Sequence, residues 1–228
     1  EHKSYNMIFN KVIERISILK NRCRSSECSI IGVLFRMLMF RLVYKKNILT
    51  SPKVKIKNIK NIKFHKNSNL IVGLSNVSHV NNNSICYINN RGEMHVSGNV
   101  FIAKSVRVDI ADSSKIILND CYIGPETDLI SYSGISIGKG SMVSWRVQFL
   151  DEDFHLVSYN DKKPKDGKIT IGENCLIGNN VAINKGCIIA DGCVVASHSV
   201  VNGVFLEKNC LIAGVPARVI KRNISWQH

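Results

Sequence analysis

From Ile171 onward the chain repeats every six residues. The segments IGENCL, IGNNVA, INKGCI, IADGCV and VASHSV follow without a gap, led by Ile171, Ile177, Ile183, Ile189 and Val195, with Val201 next in phase. The second positions (Gly172, Gly178, Asn184, Ala190, Ala196) are small or turn-forming, and the fifth (Cys175, Val181, Cys187, Cys193, Ser199) are small. A period this short and regular marks a stacked solenoid. One hexad supplies a short strand and a turn, because alternate strand side chains point to opposite faces and Gly, Asn and Asp suit the corners. Three hexads close one triangular coil. The leading aliphatics stack into a column along the axis, and the fifth positions face inward near the corners.

The same frame appears upstream, led by Val96, Ile102 and Val108, then by Ile117, Ile123 and Leu129, then by Ile137 and Val143. Breaks between runs are insertions on the outside of a solenoid, which tolerates them. The reading is an all-β β-helix over residues 51–216, with room for about eight coils. A helical region over residues 1–50 precedes it and a short tail over 217–228 follows. Apolar residues at Ile8, Val12, Ile16 and Leu19 have helical spacing and can cover the first coil.

This frame accounts for the cysteines. Cys121, Cys175, Cys187, Cys193 and Cys210 all fall on fifth positions, where they serve as small inward hydrophobes. Neither a CxxC pair nor a Cys/His cluster at metal spacing is present, so no metal site is expected. The thiols fit a reducing compartment.

Charge is unevenly placed. The chain carries a net +14. Residues 1–66 hold 16 Lys or Arg against only Glu1, Glu14 and Glu27, while the remainder is nearly neutral. Such a block can meet a membrane surface or an acidic partner. With neither a nucleic-acid motif nor interleaved aromatics, nucleic acid is not an expected partner. The most apolar stretch, Ser29–Tyr44, is interrupted by Arg36 and Arg41 and is too short to span a bilayer. It reads as a helix lying on the protein body or at a membrane interface. No cleavable signal peptide is evident.

One polar insertion interrupts the solenoid, DEDFHLVSYNDKKPKDGK at 151–168, and it contains a single histidine, His155. A loop on a rigid scaffold is a favourable place for a site, and neutral imidazole suits a general base near neutral pH. Asp151 and Asp153 flank it, and Asp153, two residues away, is the better placed to orient the ring. Trp145 stands close enough to line an acceptor site. Lys162, Lys163, Lys165 and Lys168 make the far side of the insertion basic. His198 falls at a turn, and His79 and His95 lie in the early coils.

From Val96 to Trp226 the chain resembles the hexapeptide-repeat acyltransferases, and within them most closely the polysaccharide and sugar O-acetyltransferases. The hexad run, the ending CLIAGVPARVIKR (210–222) and the histidine-bearing loop carry the resemblance. It implies a left-handed parallel β-helix, a homotrimer with sites in the grooves between subunits, and acetyl-CoA as the acyl donor. His155 then matches the catalytic base. Backbone around Asn179 and Ser197 would meet the pantetheine arm, and Arg218 and Lys221 the phosphates, with a helical tail following. The acceptor would be a sugar or polysaccharide precursor, with Trp145 and Asp151 on its side and Asp153 assisting the base. Cytoplasmic location, with the basic region 1–66 against the inner face of the membrane, fits that acceptor. The sequence departs from the family at Leu176, where several members carry an aromatic, and at Asn202-Gly203, where many carry Thr-Lys. N-acetyl transfer to an amino sugar nucleotide and a non-catalytic scaffold stay open. A carbonic anhydrase would need histidines converging with His155, and a serine acetyltransferase would need a larger helical domain.

Overall fold

The computed structural model describes residues 2–74, 85–155 and 166–227, with side chains from residue 13 onward. His79, Lys162, Lys163 and Lys165 lie outside the described residues, as do the side chains of Ile8 and Val12.

Short strands of two to five residues, each followed by a turn, wind a left-handed parallel β-helix with three faces. Among the described residues the first face has nine strands, the second and third seven each, and every neighbour in each face pairs in parallel except the last pair of the first face. The solenoid begins at Ile48–Thr50, slightly before residue 51, and completes seven coils before a final strand at Leu211–Gly214. Register keeps the leading aliphatics in columns: Val143 pairs with Ile177, Ile177 with Val195 and Val195 with Ile212. All of these are fully buried. Each such side chain contributes about 1.5–3 kcal/mol by burial. The fifth-position cysteines are buried as expected, and all eight cysteines are free thiols.

One leading residue is corrected. Ile117 points outward, and its neighbours Ile116 and Leu118 fill the core instead. Leu118 pairs with Val96 and Ile137, both buried. The turn from Leu118 to Ile123 is one residue shorter than the hexad, so the phase slips there.

Each end has its own cap. Helix α1 (His2–Ser25) leads into α2 (Ile30–Tyr44), whose N-cap is the Ser29 hydroxyl. Helix α2 covers the first coil: Phe40 is buried with Ile48 and Val54 in the main core. The Arg36 guanidinium donates to Thr50 Oγ1 at 2.8 Å and to the Val54 carbonyl at 3.0 Å. The arginine that interrupts the apolar stretch therefore satisfies coil polar groups that would otherwise be orphaned. Helix α1 lies on the outside of the first face, where Leu19 meets the small cluster around Cys23, Val33 and Leu74, and Arg22 stacks over Phe101. No described helix is long and apolar enough to cross a membrane.

The C-terminal tail is not helical. Ala217–Lys221 turns back as a strand antiparallel to Leu211–Gly214 and closes the open edge of the first face. An exposed strand edge invites unwanted pairing, and this hairpin covers that of Leu211–Gly214 with a short strand rich in cations. The chain then runs along the side of the prism, where the Trp226 indole donates to the Asn174 carbonyl at 2.7 Å.

Candidate active site

The insertion leaves the prism at the edge between the second and third faces, between strands Gln148–Leu150 and Ile169–Ile171. Its root is held by Asp151, which is fully buried. One carboxylate oxygen accepts from the Tyr132 N–H at 2.6 Å. The other accepts from the Ser131 hydroxyl and the Ser133 and Gly134 N–H groups at 2.9, 3.1 and 2.6 Å. Asp151 was expected on the acceptor side. Its oxygens are instead committed to the preceding coil, so it anchors the loop.

Asp153 is also placed otherwise than expected. Its carboxylate lies 2.5 Å from Lys185 Nζ and makes no bond to the His155 ring. That contact holds the Lys185 ammonium above its ordinary range. Lys185 sits in the turn Asn184-Lys185-Gly186 of the next coil, and the Gly186 N–H donates to the Gly167 carbonyl at 3.0 Å. The two feet of the loop are thus tied to the coil on either side. Gly167 admits no side chain there, because a Cβ would stand 2.1 Å from Ser133 Oγ and 2.6 Å from the Asp151 carbonyl oxygen. Phe154, at a positive φ of 60°, packs edge-on against Tyr132 at 4.8 Å, and His155 follows, exposed to solvent.

The residues assigned to the cofactor and acceptor lie elsewhere. Trp145, Asn179 and Ser197 occupy successive turns of one edge, between the first and second faces. Strand registers Val143–Ile177 and Ile177–Val195 place them one above another. Ser197 Oγ donates to Asn179 Oδ1 at 2.5 Å, and His198 stands beside them, its ring nitrogen 3.4 Å from Asn180 Nδ2. Gly178 makes this stacking close, since a Cβ would meet the Ser197 nitrogen at 2.6 Å. Next to Trp145, Tyr122, Pro125, Met142 and Leu176 line an apolar cleft. Arg218 pairs with Ala213 near this edge, whereas Lys221, opposite Leu211, sits at the other end of its strand.

Trp145 and His155 belong to the same coil but to different edges of the prism, separated by the strand Gln148–Leu150. Within one chain the structure groups Trp145, Asn179 and Ser197 and leaves His155 apart. Sequence reasoning missed Lys185, since a Lys-Gly turn signals only a corner. It also missed the outward side of the first face. There Leu49, Ile71, Phe101, Tyr122, Met142, Leu176, Val194 and Leu211 form one unbroken column in register. His95 lies 2.8 Å from Glu93. Among the described residues, no three His, Cys, Asp or Glu side chains converge on a metal position.

A left-handed three-faced prism with an inserted loop and a closing hairpin defines the class: a parallel β-helix built of hexapeptide repeats. Residues 168–203 match the family model described as bacterial transferase hexapeptide (six repeats). A Klebsiella pneumoniae protein described as an uncharacterized 24.8 kDa protein in the cps region is 99% identical over 222 residues, covering 97% of this chain and all of that one. Among solved structures, a mutant of AntD, an N-acyltransferase from Bacillus cereus in complex with dTDP-4-amino-4,6-dideoxyglucose and coenzyme A, is 20% identical. It covers 78% of this chain and 81% of that one with a TM-score of 0.51, a likeness of fold. The polysialic acid O-acetyltransferase OatWY is 24% identical over 80% of this chain and 88% of its own, with a TM-score of 0.41.

Proposed function

We propose that this chain is an acyltransferase that moves the acetyl group of acetyl-CoA to a hydroxyl of a sugar or polysaccharide precursor, with His155 as the general base. The observation that carries the reading is the placement of Trp145 and His155 on two edges of one coil, with Asn179 and Ser197 stacked beyond Trp145. A second copy can bring its His155 to the edge that holds Trp145, Asn179 and Ser197, so the complete site lies between subunits. Beyond the part that α1 covers at Leu49, Ile71 and Phe101, the apolar outward column of the first face supports a homotrimer, because an apolar strip favours a partner. The second face carries Arg107, Asp128 and Gln148 at the corresponding outward positions.

The residues present fit the donor. The cleft lined by Tyr122, Met142 and Leu176 offers an apolar wall for a pantetheine arm. The stacked turns at Asn179 and Ser197 offer polar groups to its amides, and the exposed cations Arg218 and Lys221 offer charge to its phosphates. Leu176, at the family's aromatic position, supplies apolar surface without a ring.

In the reaction, His155 takes the proton of the acceptor hydroxyl as that oxygen attacks the thioester carbonyl. The carbon–sulfur bond breaks as the tetrahedral intermediate collapses, and His155 returns the proton to the departing sulfur. Asp151 and the Asp153–Lys185 pair hold the loop root, which sets where the imidazole can reach. Asp153 acts here as a positioning residue. Trp145 faces the acceptor side of the cleft. Eight free thiols and the use of acetyl-CoA favour the cytoplasmic side of the membrane.

Calorimetry with acetyl-CoA, followed by transfer to sugar acceptors, tests the reading. Saturable binding near one site per chain and transfer lost in His155→Ala are expected. Absence of binding at millimolar acetyl-CoA would leave a scaffold in its place, and transfer to an amino sugar in preference to its hydroxyl analogue would make the enzyme an N-acetyltransferase.

A further inference from the structure

Helix α2 has two opposite faces. Gly32, Val33, Arg36 and Phe40 lie against the first coil, where a Cβ on Gly32 would stand 2.9 Å from Pro52 Cγ. The other side carries Ile31, Leu34, Phe35, Leu38 and Leu42, which fall at the i, i+3, i+4, i+7 and i+11 positions of one helical stripe. They are 76, 42, 67, 52 and 70% exposed. A stripe this open, on a helix whose inner face is already packed, has no structural use among the described residues.

Its surroundings say what covers it. From Cys28 to Gly92 the sequence contains no acidic residue. Arg41 and Lys45 close the helix, and Lys55, Lys57, Lys60 and Lys63 are exposed on the first coil, against which the helix packs. The far end of the prism differs, because there Lys208 pairs with Asp191 at 2.8 Å and Arg222 with Glu207 at 2.9 Å. Among the described residues, one end joins an apolar helical face to a cationic rim.

We propose that the outward face of α2 and the lysine rim of the first coil form a docking surface for an anionic lipid bilayer, on which the helix lies flat. The apolar stripe enters the boundary between headgroups and acyl chains, while Arg41 and the lysines reach the phosphates. A second copy of the same end is a poor occupant, because two lysine-rich rims would face each other. Nucleic acid would meet the lysines but leaves the stripe in water. The surface stands independently of the acyl-transfer reading, since lipid binding is measured with neither substrate present.

The test is flotation of the full chain with vesicles of phosphatidylcholine alone or mixed with phosphatidylglycerol. The protein should float with the anionic vesicles, less with the neutral ones, and less as salt is raised. The triple variant Phe35→Ser, Leu38→Ser, Leu42→Ser alters exposed side chains only and should keep its melting temperature while binding falls about tenfold or more. Charge reversal by Lys55→Glu, Lys57→Glu and Lys60→Glu should weaken binding to anionic vesicles specifically. Wild-type protein that stays unbound on anionic vesicles, or a triple variant that floats like the wild type, would overturn the proposal. A larger assembly in ultracentrifugation that the triple variant disperses, without flotation of either form, would assign the face to a second copy instead.

Discussion

Lys185 Nζ lies 2.5 Å from Asp153 Oδ2, across the gap between the loop root and the turn of the following coil. The lysine is held above its ordinary range by this contact, so it stays charged through neutral and mildly alkaline pH. Lys185→Met should therefore lower kcat/KM by about tenfold by freeing the loop, with the melting temperature little changed. Lys185→Arg should restore much of the loss. A variant with unaltered kinetics would remove the positioning role.

His155→Ala should reduce acetyl transfer by about 10²–10⁴-fold, the usual range for losing a general base. Its affinity for coenzyme A, read by calorimetry, should hold. Arg218→Ala should do the reverse, weakening coenzyme A binding several-fold and more so at low salt, with kcat little altered.

Asp151→Ala should destabilise the chain by about 3 kcal/mol, because it leaves three buried or half-buried N–H groups without an acceptor. Urea unfolding measures this. The loss should exceed that of Asp153→Ala, whose carboxylate is half exposed.

Burial pushes the thiols of Cys86 and Cys121 up to about 12 and that of Cys175 up to about 11. The thiolate is the reactive form, so at pH 8 these buried thiols stay protonated and unreactive. A disulfide reagent at pH 8 should label half-buried Cys28 first and reach all eight cysteines only in denaturant. Raising the pH to 9 increases the thiolate but leaves the core thiols shielded. Several fast-reacting thiols in the native protein would contradict the packing role.

The outward column gives a test of assembly. Val194→Lys with Leu211→Lys places two charges in adjacent register on the first face, outside the cleft beside Trp145. Light scattering should show the assembly dissociating, with activity lost alongside it, because the base and the donor edge would no longer meet.

Much of the fold is legible in the sequence because a hexad solenoid is a local code. Each leading aliphatic must point inward wherever strand and turn repeat, so Ile171, Ile177, Ile183, Ile189, Val195 and Val201 are buried as the period requires. Ile117 was misread for the same reason, since a turn one residue short changes the phase and leaves no mark in composition. The tail was expected to be helical by resemblance, yet Ala217–Lys221 became a strand because the open edge beside Leu211–Gly214 offered hydrogen bonds.

By itself the sequence determined the three-sided solenoid, the inward cysteines, the site of the loop and the basic bias of the first 66 residues, all properties of short-range pattern and composition. Tertiary structure decided which carboxylate serves which neighbour. It gave Asp151 to the backbone of the preceding coil and Asp153 to a lysine of the following one, and it set Trp145 and His155 on different edges. Such pairings depend on coil stacking and register, which bring together residues far apart in sequence, and neither leaves a signal in any one repeat.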